Sequence, residues 1–183
     1  MIKNTADPGE EAKNAFMRIH FAKIKHNKDE GKFEIIDNFK ALSFTTVTAP
    51  QDSNYMLIQD LEEDTVFSIL KTGESQFSIR SPWAEILGEV IVDEKNGQAG
   101  PVCVEIFTKD RTVRLQAARM QQIEKSSEFL VTHTKSGDVI GRINAVPKRS
   151  KAVVSMQPEL DVLHRVRIIA TALILMQIYD KAW

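Results

Sequence analysis

Basic side chains are the residues of this 183-residue chain whose grouping points most directly to a chemistry, the binding of an anion. The candidates lie in the C-terminal third and are Arg142, Lys148, Arg149, Lys151, Arg165 and Arg167. A basic side chain near an anionic bilayer contributes about 1 kcal/mol to binding. If the loop of three basic residues meets the start of the next helix, the group forms a basic rim for a lipid phosphate. The alternative is a solvated basic loop that acids elsewhere balance.

Two short motifs known from enzymes occur in the chain, but without the additional catalytic residues that those enzymes use. Ser68 and Lys71 match S-x-x-K, and the stretch from Lys71 to Gly73 matches K-T-G, two motifs of penicillin-recognising enzymes. Those enzymes use two separate lysines, whereas both motifs share Lys71 here. On a strand, moreover, Ser68 and Lys71 would point to opposite faces. The chain also lacks a P-loop, G-x-S-x-G and G-x-G-x-x-G, so we expect no enzyme activity.

The histidines and the cysteine do not have the spacing of a metal site. The histidines are His20, His26, His133 and His164, and one cysteine cannot build a thiolate site. Cys103 alternates with Val102 and Val104, which predicts a small core side chain rather than a nucleophile. We therefore expect neither a metal nor a cofactor.

Composition is typical of one soluble globular domain. Apolar residues make up 43% and charged residues 27% of the chain. The formal net charge of −1 argues against a nucleic-acid partner, since proteins that bind nucleic acids usually carry a basic excess. A single cysteine forms no internal disulfide, and the N-terminal sequence lacks the apolar segment of a signal peptide. We expect a cytoplasmic protein that makes peripheral contact with a membrane.

The basic rim depends on a long apolar segment near the C-terminus. Pro158, Glu159 and Asp161 are typical of a first helical turn, and the pattern predicts one helix over about 158–180. Its apolar stretch from Ile168 to Ile178 is shorter than the roughly 20 residues that span a bilayer. A helix that is apolar all round must be buried on every side, here by protein rather than lipid. We expect no transmembrane span.

The preceding sequence reads as a series of strands and turns. Four segments share one order of strand, polar turn and strand: FEIIDNFKALSF, YMLIQDLEEDTVFSI, VEIFTKDRTVRL and FLVTHTKSGDVIGRI. This shared order indicates either an internal repeat or only the general pattern of a protein built from β-hairpins. Closely spaced turns predict an all-β barrel or sandwich. Residues 1–30 form an N-terminal extension whose start is typical of a helix, and beyond Phe16 the pattern fits a helix or a strand.

The C-terminal third resembles the tubby C-terminal-like superfamily, in particular its phospholipid-scramblase and LURP-one-related branches. The residues that carry the resemblance are EFLVTHTKSGDVIGRI (128–143) and QPELDVLHRVRIIATALILMQIYD (157–180). The resemblance implies a closed antiparallel β-barrel of about 12 strands over residues 31–183, threaded by the hydrophobic C-terminal helix. Over 33–116 it rests on the order of strands and turns alone.

The resemblance also bears on function. The tubby branch binds phosphoinositide headgroups through basic residues, which implies an anionic phospholipid or phosphoinositide as partner here. In scramblases an acidic segment before the helix has been proposed to bind calcium, but the matching stretch from Lys148 to Val153 is basic. Calcium prefers carboxylate and carbonyl oxygens, so calcium binding is not carried over. We expect a non-catalytic lipid-binding module; the alternative is a protein-interaction or structural barrel with an unknown protein partner.

Overall fold

Twelve β-strands pair with one another and form one continuous wall. A computed structural model of the chain describes residues 16–94, 101, 103–123, 126–146 and 149–180. The strands are β1 Phe21–Asn27, β2 Lys32–Ile36, β3 Leu42–Ala49, β4 Asp52–Gln59, β5 Thr65–Lys71, β6 Gln76–Arg80, β7 Ile86–Asp93, β8 Cys103–Phe107, β9 Arg114–Ile123, β10 Ser126–His133, β11 Val139–Val146 and β12 Lys151–Met156.

Each strand pairs antiparallel with its neighbours in sequence, and β1 pairs with β12 to close the ring. The closing register sets Phe21 opposite Ser155 and Lys25 opposite Lys151. Closure leaves no unpaired strand edge. The predicted closed barrel of twelve antiparallel strands is confirmed.

The C-terminal helix, Val162–Asp180, lies inside this barrel. Every residue from Ile168 to Met176 is fully buried, and the helix contacts β1, β11 and β12 as well as β7 and β8 across the ring. By length and composition the helix could cross a membrane, but 72% of the window Val162–Tyr179 is buried within the protein. Fully burying a large aliphatic side chain is worth about 1.5–3 kcal/mol, so this stretch contributes on the order of 10 kcal/mol.

The helix begins later than the sequence predicts. Asp161 rather than an earlier residue is the N-cap, because its Oδ1 accepts the backbone N–H of His164 at 2.8 Å. The main-chain carbonyl of Asp161 accepts the N–H of Arg165 at 3.1 Å, the first helical bond. Pro158 lies in a turn before the helix.

The N-terminal boundary also differs from the prediction. Residues 16–18 are helical, but β1 is a full member of the barrel, so the barrel begins before residue 31. Phe16 closes one end of the barrel by stacking on Phe44, with ring centroids 4.7 Å apart. The predicted helix start at Asp7 and Pro8 lies outside the described residues.

One type of turn recurs at the barrel end where the helix starts, which we call the helix-start end. It joins the strands at 37–41, 60–64, 81–85 and 108–113. In each turn the fourth residue has a positive φ (Lys40, Glu63, Ala84 and Arg111) and donates its N–H to the carbonyl of the first residue. Three of the four similar sequence segments contain this turn, so their similarity has a structural basis.

Candidate functional site

The predicted basic rim is not assembled as one surface. The loop before β12 and the start of the helix lie at opposite ends of the barrel, because β12 runs between them from Lys151 to Met156. At about 3.3 Å per residue, that strand separates them by roughly 17 Å. Arg149 is exposed and Lys151 half-buried beside the loop, and Lys148 lies outside the described residues.

Arg165 does not face solvent but is fully buried at the helix-start end. Its guanidinium donates to the carbonyls of Leu160, at 2.8 Å, and of Ile19 and Pro158. Burial lowers the pKa of Arg165, with Asp161 acting in the opposite direction. These bonds join the segment before β1 to the segment before the helix, so Arg165 has a structural role and is not accessible to a lipid headgroup.

Arg167 is also buried rather than at an accessible rim. Its Nε donates to the carbonyl of Leu87 at 2.9 Å, and its Nη1 lies 3.0 Å from Nδ1 of His164. Gly88 makes room for this side chain, since a Cβ there would lie 3.1 Å from Nε of Arg167 and 2.7 Å from the carbonyl oxygen of Phe107. Burial lowers the pKa of Arg167.

Histidine and arginine form a small cluster at this end of the barrel. Because a guanidinium can only donate, the contact with Arg167 requires an unprotonated Nδ1 on His164. The pKa of His164 is lowered, chiefly by burial and then by Arg167 and His133, against the opposing effect of Asp161. Among the described residues, no group of three His, Cys, Asp or Glu side chains could hold a metal ion.

Arg142 is the one predicted residue that is exposed at the helix-start end. It lies opposite Ser155 on the outer face, and its Nη1 is 3.2 Å from Oε1 of Glu128. Exposed ion pairs of this kind contribute about 0–1 kcal/mol to the free energy of unfolding. The carboxylate neutralises the charge of Arg142, so this residue does not extend a positive surface.

A group of positive charges that have no ion pair in the described residues lies instead on the outer face of β1 and β12. Lys23 and Lys25 alternate with the buried Ala22 and Ile24, so both project outward, and Lys25 is directly opposite Lys151. Opposed residues on antiparallel strands have Cβ atoms about 4.5–5.5 Å apart, and like charges there are destabilising. We call Lys23, Lys25 and Lys151 the lysine face.

Electrostatics supports the grouping of the lysine face. The pKa of Lys23 is lowered, first by the charge of Lys25 and then by partial burial, with Lys151 and Lys40 adding to the effect. Within the described part of the chain, none of the three lysines has an ion pair. Glu34 lies across from Lys25 on β2, but its Oε1 accepts the side-chain N–H of Asn27 at 3.4 Å.

Sequence reasoning identified Lys151 and missed Lys23 and Lys25. A signal was present, because the residues from Ala22 to Lys25 alternate apolar and basic, as a half-buried strand does. The prediction for Cys103 was also wrong: its neighbour Val104 points inward, and Cys103 lies half-buried on the outer face, where its Sγ accepts the amide of Gln116 at 3.0 Å.

Comparison with known proteins supports the fold. No protein-family profile and no curated protein matches this sequence. The X-ray structure of a protein from Arabidopsis thaliana is similar, with a TM-score of 0.57 over 94% of this chain and 98% of that chain, at 11% sequence identity. At that identity the likeness concerns the fold alone, over nearly the whole length of both chains.

Proposed function

We propose that this protein is a non-catalytic binding module whose lysine face docks onto an anionic phospholipid surface. The observation that carries the proposal is the lysine face itself, three cations on adjacent strands with no carboxylate paired to them in the described residues. Opposed like charges cost folding free energy, and an anionic surface would relieve that cost. The resemblance to the tubby-like superfamily implies a partner of the same class.

The lysine face replaces the basic rim as the proposed binding surface. Of the residues of the predicted basic rim, Lys151 belongs to the lysine face and Arg149 lies next to it in the loop between β11 and β12, whereas Arg165 and Arg167 are buried at the other end of the barrel. A strand is a suitable platform, because Lys23 and Lys25 emerge on one face about 7 Å apart and the backbone that carries them does not have to be ordered on binding.

Co-sedimentation with vesicles tests this proposal. Phosphatidylcholine vesicles with and without phosphatidylserine are compared at low salt, where screening is weak. With about 1 kcal/mol from each lysine, the triple variant Lys23→Gln, Lys25→Gln, Lys151→Gln should bind roughly 100-fold more weakly than the wild type.

The matched control removes three lysines elsewhere, Lys71→Gln, Lys109→Gln and Lys135→Gln, and so changes the net charge equally. The control should retain most of the binding. Equal losses in the two triple variants would show that net charge rather than the lysine face is recognised. No binding of the wild type to phosphatidylserine vesicles at low salt would overturn the proposal and favour a protein-interaction barrel.

A further inference from the structure

Large apolar side chains are exposed at three consecutive hairpin turns of the helix-start end. Phe39 is 79% exposed, Leu61 is 65% exposed and Trp83 is 66% exposed. Their turns join β2 to β3, β4 to β5 and β6 to β7, so they follow one another around the ring. Single exposed apolar residues are common, so the surroundings of each decide whether it has a role.

The charges beside the three side chains differ. Leu61 is surrounded in its turn by four carboxylates, those of Asp60, Glu62, Glu63 and Asp64. Glu85 lies two residues after Trp83 and is paired with Lys109 at 3.3 Å. Phe39 is followed by Lys40, and Arg18 lines the same depression of about 220 Å³ as Phe39. Beside Phe39, Lys40 and Arg18 have no ion pair in the described residues, whereas Lys109 near Trp83 is paired with Glu85.

Phe39 also belongs to a larger apolar patch. Met17, Phe21 and Leu42 are each between 40% and 49% exposed at the same end of the barrel. Leu42 lies opposite Ile36, which in turn lies opposite Lys23 on β1. Phe21 precedes Lys23 on the same face of β1, so the patch is continuous with the lysine face. We call Met17, Phe21, Phe39 and Leu42 the apolar patch.

The backbone of the Phe39 turn is held in place before any partner arrives. The side chain of Asp37 accepts hydrogen bonds from the N–H of Phe39 at 2.8 Å, the N–H of Ala41 at 3.0 Å and the hydroxyl of Ser43 at 3.2 Å. Those bonds engage the one carboxylate of the turn. A preorganised turn loses little conformational entropy on binding.

The shape of this surface indicates which partner it fits. The ring projects from a turn, and the depression beside it is smaller than the roughly 300–1,000 Å³ of a small-molecule pocket. A bilayer interface accommodates a projecting aromatic ring at the depth of the headgroups, with lysines contacting lipid phosphates. An anionic bilayer therefore matches both the apolar patch and the cations around it.

We infer that the apolar patch inserts into the interface of an anionic bilayer, with Phe39 at its deepest point, while the lysine face contacts the headgroups. This inference rests on the proposed function, and it adds an orientation: the β2–β3 turn enters the membrane and the turns of Leu61 and Trp83 do not. Phe39→Ser should weaken binding to phosphatidylserine vesicles about tenfold or more, whereas Leu61→Ser should leave it unchanged.

Fluorescence tests insertion separately from affinity. In a background with Trp83→Phe and Trp183→Phe, the variant Phe39→Trp places one reporter at the turn, and Leu61→Trp is its matched control. Phosphatidylserine vesicles should shift the emission of the reporter at position 39 to the blue and protect it from an aqueous quencher. The reporter at position 61 should keep its emission.

The outcomes separate this inference from the proposed function. Vesicle binding that depends on the lysine face but leaves the reporter at position 39 unshifted overturns insertion and leaves the headgroup contact standing. No vesicle binding at all overturns both. If the wild type is a dimer by light scattering and Phe39→Ser makes it a monomer, the apolar patch binds a second copy of the chain, and insertion is again overturned.

Discussion

Arg165 shows how a charged residue can be essential to the fold without being available to a ligand. Its guanidinium donates to the carbonyls of Leu160, Ile19 and Pro158 around the start of the helix. Arg165→Met should leave these acceptors unsatisfied and lower the free energy of unfolding by about 2–4 kcal/mol. Urea unfolding measures the loss. The exposed Arg142→Met is the control and should cost under about 1 kcal/mol; equal effects would contradict the structural role.

His164 should make stability depend on pH. Its pKa lies below the ordinary value of about 6.5, chiefly because of burial. As pH falls through 6.5 toward that lowered pKa, the unfolded chain binds a proton that the native state does not, so stability falls. Protonation also removes the acceptor for Arg167. In His164→Gln, the free energy of unfolding from denaturant titrations should vary less between pH 7.5 and 5 than in the wild type. If it varies equally in the two proteins, His164 is not the group responsible.

The shared turn is the element that most clearly repeats along the chain. Ala84 has φ +62° there, and Gly137 has φ +75° in the turn between β10 and β11. An L-residue in this conformation costs about 1–2 kcal/mol, so Ala84→Gly should stabilise the protein and Gly137→Ala should destabilise it by about 1 kcal/mol. A Cβ at Gly137 meets no atom within 4 Å, which isolates the backbone effect. Thermal unfolding that shifts both variants in the same direction would rule out this explanation.

Elements differed in how far the sequence could predict them. The eight strands of the four similar segments and the helix were evident, because alternation and an all-round apolar segment are direct consequences of burial. β1 was ambiguous because its inward residues Ala22 and Ile24 are few, and its place beside β12 depends on contacts distant in sequence. The prediction of a single basic rim was wrong for a similar reason. Lys151 and Arg165 are near in sequence, but β12 runs from one end of the barrel to the other between them.

At the scale of the whole molecule, the barrel and the helix depend on each other. The ring is closed, and its inward residues, such as Ile58, Ile106 and Val154, are fully buried in one core together with the helix. The helix in turn has no polar face over Ile168 to Met176 with which to meet water. Neither part can bury its apolar surface alone, so we expect a single cooperative transition.

A truncated chain tests this dependence. Removing residues 168–183 takes away helix burial worth on the order of 10 kcal/mol, comparable with the 5–15 kcal/mol by which whole domains are stable. The shortened chain should therefore lose cooperative urea unfolding and near-ultraviolet circular dichroism, and should expose apolar surface to a fluorescent dye. Removing only residues 181–183 is the matched control and should preserve the transition. If the chain ending at Arg167 instead unfolds cooperatively with native near-ultraviolet signals, the barrel is stable without its central helix, because its inward side chains then fill the interior themselves.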